Sequence, residues 1–125
     1  MTPQEWEQIQ HFVPQEFECP CCGRGADKMV RETVGALDSA RDDAGFPLLV
    51  TSGYRCPDHN AEVGGVSSSS HMRGYAVDIA CEGSRSRHKI VTALLNNGFN
   101  RIGIGADFIH ADRDPSKPRN VMWIY

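Results

Sequence analysis

The sequence predicts an α+β domain, a mostly antiparallel sheet flanked by helices. Helical periodicity is concentrated near residues 26–44 and in the stretch after Ser84. Between them lie a continuous apolar run, PLLVTSGYR, and an alternating one, YAVDIA, both of which read as strands. The last third, FNRIGIGADFIHADRD followed by NVMWIY, reads as short strands joined by glycine and proline turns. Strands so dispersed must pair nonlocally, and that implies the α+β class.

Taken in order, Thr2-Pro3-Gln4-Glu5 is a helix start, with Thr2 as N-cap, Pro3 in the first turn and Glu5 supporting the cap. Pro14 keeps that helix short. Ala26 to Ala44 is the strongest helix, because Met29, Val30, Thr33, Val34, Leu37, Ala40 and Ala44 recur at helical spacing and Gly45 supplies a stop. PLLVTSGYR is a buried strand running into a turn. Pro57 to Gly65 holds one helical turn ended by Gly64-Gly65, and VSSSS is a loop. Ser84 caps a helix whose stripe is Ile90, Val91, Leu94 and Leu95, ending at Gly98.

A chain of 125 residues fits one domain spanning 1–125. Its formal charge of −3 leaves no broad basic footprint, so no nucleic-acid partner is expected. No apolar run approaches the roughly 20 residues of a membrane span. The start, MTPQEWEQIQHFV, lacks the basic and apolar parts of a secretory signal. Synthesis in the cytoplasm and a monomeric state are therefore the expectations. The five cysteines, Cys19, Cys21, Cys22, Cys56 and Cys81, are odd in number and exclude a fully paired disulfide framework. Cys19, Cys21 and Cys22 in FECPCCG offer thiolates to a metal, yet Cys-x-Cys-Cys lacks the paired Cys-x-x-Cys knuckles, and buried or free thiols are expected instead.

The chemistry gathers around His71, Asp78 and His110. A catalytic zinc commonly takes three nitrogen or oxygen ligands and leaves its fourth position to water. Gly74 suits the turn between His71 and Asp78, and Asp78 inside an apolar strand needs a charge or metal partner. Asp107 is the candidate general base, although in a regular strand it would face away from His110. Gly103 and Gly105 allow an irregular entry there. Asp112 shares the strand face of His110 and is placed to orient its imidazole. His11, His59 and His88 are expected to be structural or exposed.

The stretch TSGYRCPDHNAEVGGVSSSSHMRGYAVDI resembles the signature of the zinc D-Ala-D-Ala carboxypeptidase and L-alanyl-D-glutamate peptidase family. That family is grouped with lysostaphin-type enzymes and the hedgehog signalling domain. The matching parts are Ser52-Gly53-Tyr54-Arg55, then Ser69 to Asp78 with the pattern Ser-x-His-x-x-Gly-x-Ala-x-Asp, then Asp107 to His110. The likeness covers about Phe17 to the C-terminus, and the second motif is the specific one. It implies the hedgehog/DD-peptidase-like fold, one zinc ion held by His71, Asp78 and His110, and Asp107 as the base acting on zinc-bound water. Arg55 would stabilise an oxyanion or bind a substrate carboxylate, and Ser69 would bind the substrate backbone. The implied substrate is the peptidoglycan stem peptide, cut by D,D-carboxypeptidase or endopeptidase action. An aspartate as base leans towards phage endolysins, which reach the cell wall after release. The alternative is a non-catalytic zinc-binding phage structural or wall-binding module of the same fold.

Overall fold

The structure, a computed structural model, describes residues 1–125. Helix α1 (Pro3–Glu7) opens with a reciprocal cap: Thr2 Oγ1 accepts from the Glu5 amide at 3.1 Å, and Glu5 Oε1 accepts from the Thr2 amide at 2.9 Å. A 3₁₀ turn (Pro14–Phe17) then delivers Phe17 into the core, where its ring meets those of Trp6 and Phe12 at 5.3 and 5.8 Å.

The long helix expected from Ala26 begins later. Ala26–Lys28 form a 3₁₀ turn, Met29 and Val30 are extended, and α2 spans Arg31–Ala44. The break has a tertiary cause. The Val30 amide, which a continuous helix would point at Ala26, instead donates to the Gly74 carbonyl at 3.0 Å. At its other end α2 stops as expected, with Gly45 left-handed at φ +76°.

Strand β1 (Val50–Ser52) uses only part of the apolar run and leads to α3 (Pro57–Glu62). A 3₁₀ turn (Ser70–Arg73) precedes β2 (Ala76–Ala80). Helix α4 (Ser84–Asn96) is capped by Gly83, so Ser84 is its first helical residue rather than its cap. Strands β3 (Arg101–Ile104), β4 (Phe108–Asp112) and β5 (Val121–Ile124) complete a five-stranded sheet of order β1-β2-β4-β3-β5. Every pairing is antiparallel except β3 with β5. Strand β4 already has β2 and β3 on its two edges, so β5 cannot pair with it and joins instead the outer edge of β3, running parallel.

Helices α2 and α4 pack together over one face of this sheet. Val77 and Ile79 of β2, Ile102 of β3, and Ile109 and Ala111 of β4 are buried there with Val34, Leu37, Ile90 and Leu94. Alternation along β2 and β4 turns Asp78, His110 and Asp112 to the opposite face. The α+β architecture and mostly antiparallel sheet are those expected from the sequence. No helix is long and apolar enough to cross a membrane.

Candidate metal centre

Strand register sets the first contact. Asp78 on β2 stands directly across from His110 on β4, so both side chains leave the sheet on the same side. Asp78 Oδ1 lies 3.0 Å from His110 Nδ1. The third member comes from outside the sheet. His71 sits in the 3₁₀ turn before β2, whose amide is held by Ser69 Oγ at 3.3 Å and whose end is closed by left-handed Gly74. Its Nε2 reaches Asp78 Oδ1 at 3.2 Å. One donor atom from each of the three residues lies within 4.8 Å of the others, and all three residues are buried.

The outer hydrogen bonds decide what these atoms present. His71 Nδ1 is 2.8 Å from the Gly53 carbonyl, which can only accept, so Nδ1 carries the proton. His110 Nε2 is 2.7 Å from Asp112 Oδ2, again an acceptor. In its neutral form each ring therefore turns a lone pair towards the same carboxylate oxygen. Three electron-rich atoms facing one another repel unless positive charge lies among them. A divalent ion removes that conflict, and two imidazoles with one carboxylate are the donor set of a catalytic zinc site. The residues fit the ion.

The titration of these groups reflects the same demand. Burial alone would raise the Asp78 carboxyl, but the His110 and His71 rings facing it outweigh that and hold it below the ordinary range. Burial would lower His110, and its bonds to Asp112 and Asp78 raise it instead. Asp112 is also buried, and His110, the Asp114 amide and Arg101 keep it ionised. Arg101 Nε pairs with Asp112 Oδ1 at 2.9 Å. The orienting role expected for Asp112 matches the bond from His110 Nε2 to its Oδ2, with Arg101 holding the other oxygen.

Arg55 binds the remaining oxygen of Asp78: Nη2 donates to Oδ2 at 3.2 Å, while Nε donates to Ser52 Oγ at 3.2 Å and Nη1 to Asn60 Oδ1 at 3.4 Å. Its fork is thus engaged on three sides. Ser69, His71, Asp78, His110 and Arg55 all line one cavity of about 540 Å³, together with Tyr125 and with Trp123, whose ring lies 5.4 Å from that of His110. Gly103 makes room for these two, since a Cβ there would stand 2.7 Å from both aromatic side chains. A larger apolar groove near Trp6 and Phe12 shares no residue with this cavity.

Asp107 stands apart. It lies in the exposed turn between β3 and β4, its carbonyl accepts from the Cys81 amide at 2.9 Å, and its carboxylate has no hydrogen-bond or ion-pair partner. It lines a smaller pocket of about 280 Å³ shared with Arg55, Asp78 and Phe108.

The geometry coincides with a family. The model for peptidase M15 matches residues 10–112, a stretch that contains every predicted site residue. The chain belongs to the peptidase M15 family. A zinc D-Ala-D-Ala carboxypeptidase from Streptomyces albus G is 39% identical over 56 residues, which is 45% of this chain and 22% of that protein. This M15 chain thus aligns with about a fifth of the curated relative.

Several parts of the M15 site escaped the sequence reading. Asp114 is buried and accepts from Ser70 Oγ at 2.7 Å while pairing with Arg73, so it anchors both ends of the turn that carries His71. Arg101, Trp123 and Tyr125 meet the site through strand pairing, and nothing in their spacing signals it. Of the other histidines, His11 pairs with Asp42 at 2.6 Å and His59 with Glu62 at 3.7 Å, outside the cluster.

Proposed function

We propose that this chain is a zinc-dependent peptidase acting on the stem peptide of peptidoglycan, as a D,D-carboxypeptidase or an endopeptidase. The observation that carries the reading is the buried His71-Asp78-His110 cluster, whose neutral imidazoles would turn lone pairs to one point in the lining of a cavity in an M15 chain. The substrate class rests on the family resemblance and on the name of the Streptomyces relative.

His71, Asp78 and His110 would hold the ion. When bound, zinc supplies Lewis-acid polarisation of a scissile carbonyl and makes water more acidic. Asp107, free of any internal partner, takes the proton of the attacking water and passes it to the leaving amine. Arg55 holds Asp78 from behind and adds positive charge beside the reacting carbonyl. Ser69, whose hydroxyl oxygen already accepts from the His71 amide, keeps its proton to donate to a substrate carbonyl. Arg101 and Lys117 line the same cavity and give it the positive charge that a carboxylate-ended peptide needs.

One observation favours a non-catalytic zinc-binding module: Asp107 does not line the cavity that holds the three ligands. The two readings separate in one assay. Zinc-loaded protein incubated with purified peptidoglycan should release new amino groups, chelator should abolish the release, and added zinc should restore it. Mass spectrometry of products from defined muropeptides then shows whether a terminal residue or an internal bond is lost. Zinc-saturated protein that releases nothing would sink the enzyme reading.

A further inference from the structure

Four of the five cysteines converge at a second place. Cys19 Sγ lies 3.5 Å from Cys21 Sγ and 3.6 Å from Cys56 Sγ, and Cys21 Sγ lies 3.1 Å from Cys56 Sγ. With Cys22 included, all four sulfurs lie within 4.8 Å of one another, and none is in a disulfide. We propose that Cys19, Cys21, Cys22 and Cys56 form a structural zinc site, independent of whatever the His71 cluster does.

Sulfur spacing supports the assignment. A tetrahedral ion with Zn–S bonds of about 2.3 Å places its sulfurs roughly 3.8 Å apart. The Cys19–Cys21 and Cys19–Cys56 separations fall about 0.2–0.3 Å short of this and Cys21–Cys56 about 0.7 Å short, a cage that opens to the ion chiefly by parting Cys21 from Cys56. Four thiolates in a closed set suit zinc as a structural metal, whereas the cluster at His71 has nitrogen and oxygen donors beside an open cavity.

The backbone is folded to serve this arrangement. Residues 19–24 close a tight turn in which Cys22 and Gly23 amides donate to the Cys19 carbonyl at 3.3 and 2.8 Å, and the Cys19 amide donates to the Arg24 carbonyl at 2.8 Å. Gly23 supports the turn with φ +62°. The Cys56 amide donates to Cys19 Sγ, and the His59 amide donates to Cys56 Sγ, each at 3.4 Å. Main-chain donors aimed at sulfur stabilise thiolate charge. The distant partner, Cys56, supplies what the Cys-x-Cys-Cys spacing lacks for a complete set of four ligands.

The site would also act on the M15 centre. Cys56 directly follows Arg55, whose guanidinium holds Asp78, and Tyr54 packs so closely on Gly25 that a Cβ there would fall 2.1 Å from its ring. A zinc clamp between the first turn and Cys56 fixes the Gly53–Arg55 arm, and with it the Gly53 carbonyl that orients His71. These cysteines are positioning residues for the metal centre; none touches it.

The test compares three zinc-loaded full-length proteins, purified with reductant: wild type, Cys21→Ser/Cys22→Ser, and His71→Ala. Cys21 and Cys22 are exposed, so their replacement leaves the core intact. Metal analysis should give two zinc ions per wild-type chain and one in each variant. After exchange to cobalt, a sulfur-to-metal charge-transfer band should appear in wild type and His71→Ala and vanish in the double cysteine variant. Ellman's reagent should react slowly with native wild type and gain four reactive thiols on chelation. The proposal is overturned by a wild type without the charge-transfer band, or by equal zinc in wild type and the cysteine variant. It is also overturned by a reductant-free protein about 2 Da lighter than its sequence, the mark of a disulfide, or by iron in place of zinc in the purified protein.

Discussion

Gly74 and Gly45 share one backbone conformation, φ +76° at each, but not one environment. Alanine at either position pays the left-handed penalty of about 1–2 kcal/mol. Around Gly45 a new Cβ meets nothing within 4 Å, so the penalty ends there. At Gly74 it would stand 2.1 Å from the Lys28 carbonyl oxygen and 2.9 Å from Met29 Cα, both backbone atoms that cannot rotate away. The two segments must separate, and the Val30–Gly74 hydrogen bond of 3.0 Å is lost with them. Adding about 0.5–1.5 kcal/mol for that bond and about 1–2 for displaced packing gives roughly 3–5 kcal/mol at Gly74. Urea denaturation of the metal-free proteins should show this difference at unchanged m-value. Gly74 also ends the turn that bears His71, so Gly74→Ala should weaken zinc binding at least about tenfold, while Gly45→Ala leaves it unaltered. Equal destabilisation of the two variants, within about 0.5 kcal/mol, would refute the claim that contact with residues 28–29 sets the outcome.

Removing a ligand and removing the base should separate metal binding from turnover. His71→Ala should lose the zinc of this centre after dialysis, whereas Asp107→Ala should keep it and release amino groups from peptidoglycan at least about 100-fold more slowly; near-normal release would remove Asp107 from the mechanism. Asp112→Asn withdraws the carboxylate behind His110 and should cost about 10–100-fold in zinc affinity, read by competition with a chelating dye. Asp114 gives a pH signature. Burial would raise its carboxyl, but hydrogen bonds with Ser70 and Ser116 and the charge of Arg73 outweigh that and lower it. A lowered folded pKa contributes stability that is complete above the unfolded value of about 3.9 and is lost as pH falls towards the folded value. The stability gap between wild type and Asp114→Asn should therefore be full at neutral pH and shrink below about pH 4; a gap constant down to about pH 2 would contradict the assignment.

Features governed by neighbouring residues were legible in the sequence. The reciprocal cap of Thr2 and Glu5, the stop at Gly45 and the alternation of β2 all depend on contacts within a few positions. The candidate ligands were legible for a related reason: a short turn fixes His71 relative to Asp78, and strand alternation puts His110 and Asp112 on one face.

What remained hidden depends on pairings between distant segments. The helix expected from Ala26 breaks because Val30 serves Gly74, forty-four positions away, and no local periodicity encodes that exchange. The same holds for Asp114 under the His71 turn, for Trp123 over Gly103, and for Cys56 beside the three clustered cysteines. Residue types and short-range spacing determined by themselves the class of fold and the donors available to a metal. Only the tertiary structure decided which lone pairs those donors present, because Gly53 and Asp112 set the protonated nitrogen of each histidine through hydrogen bonds outside the cluster.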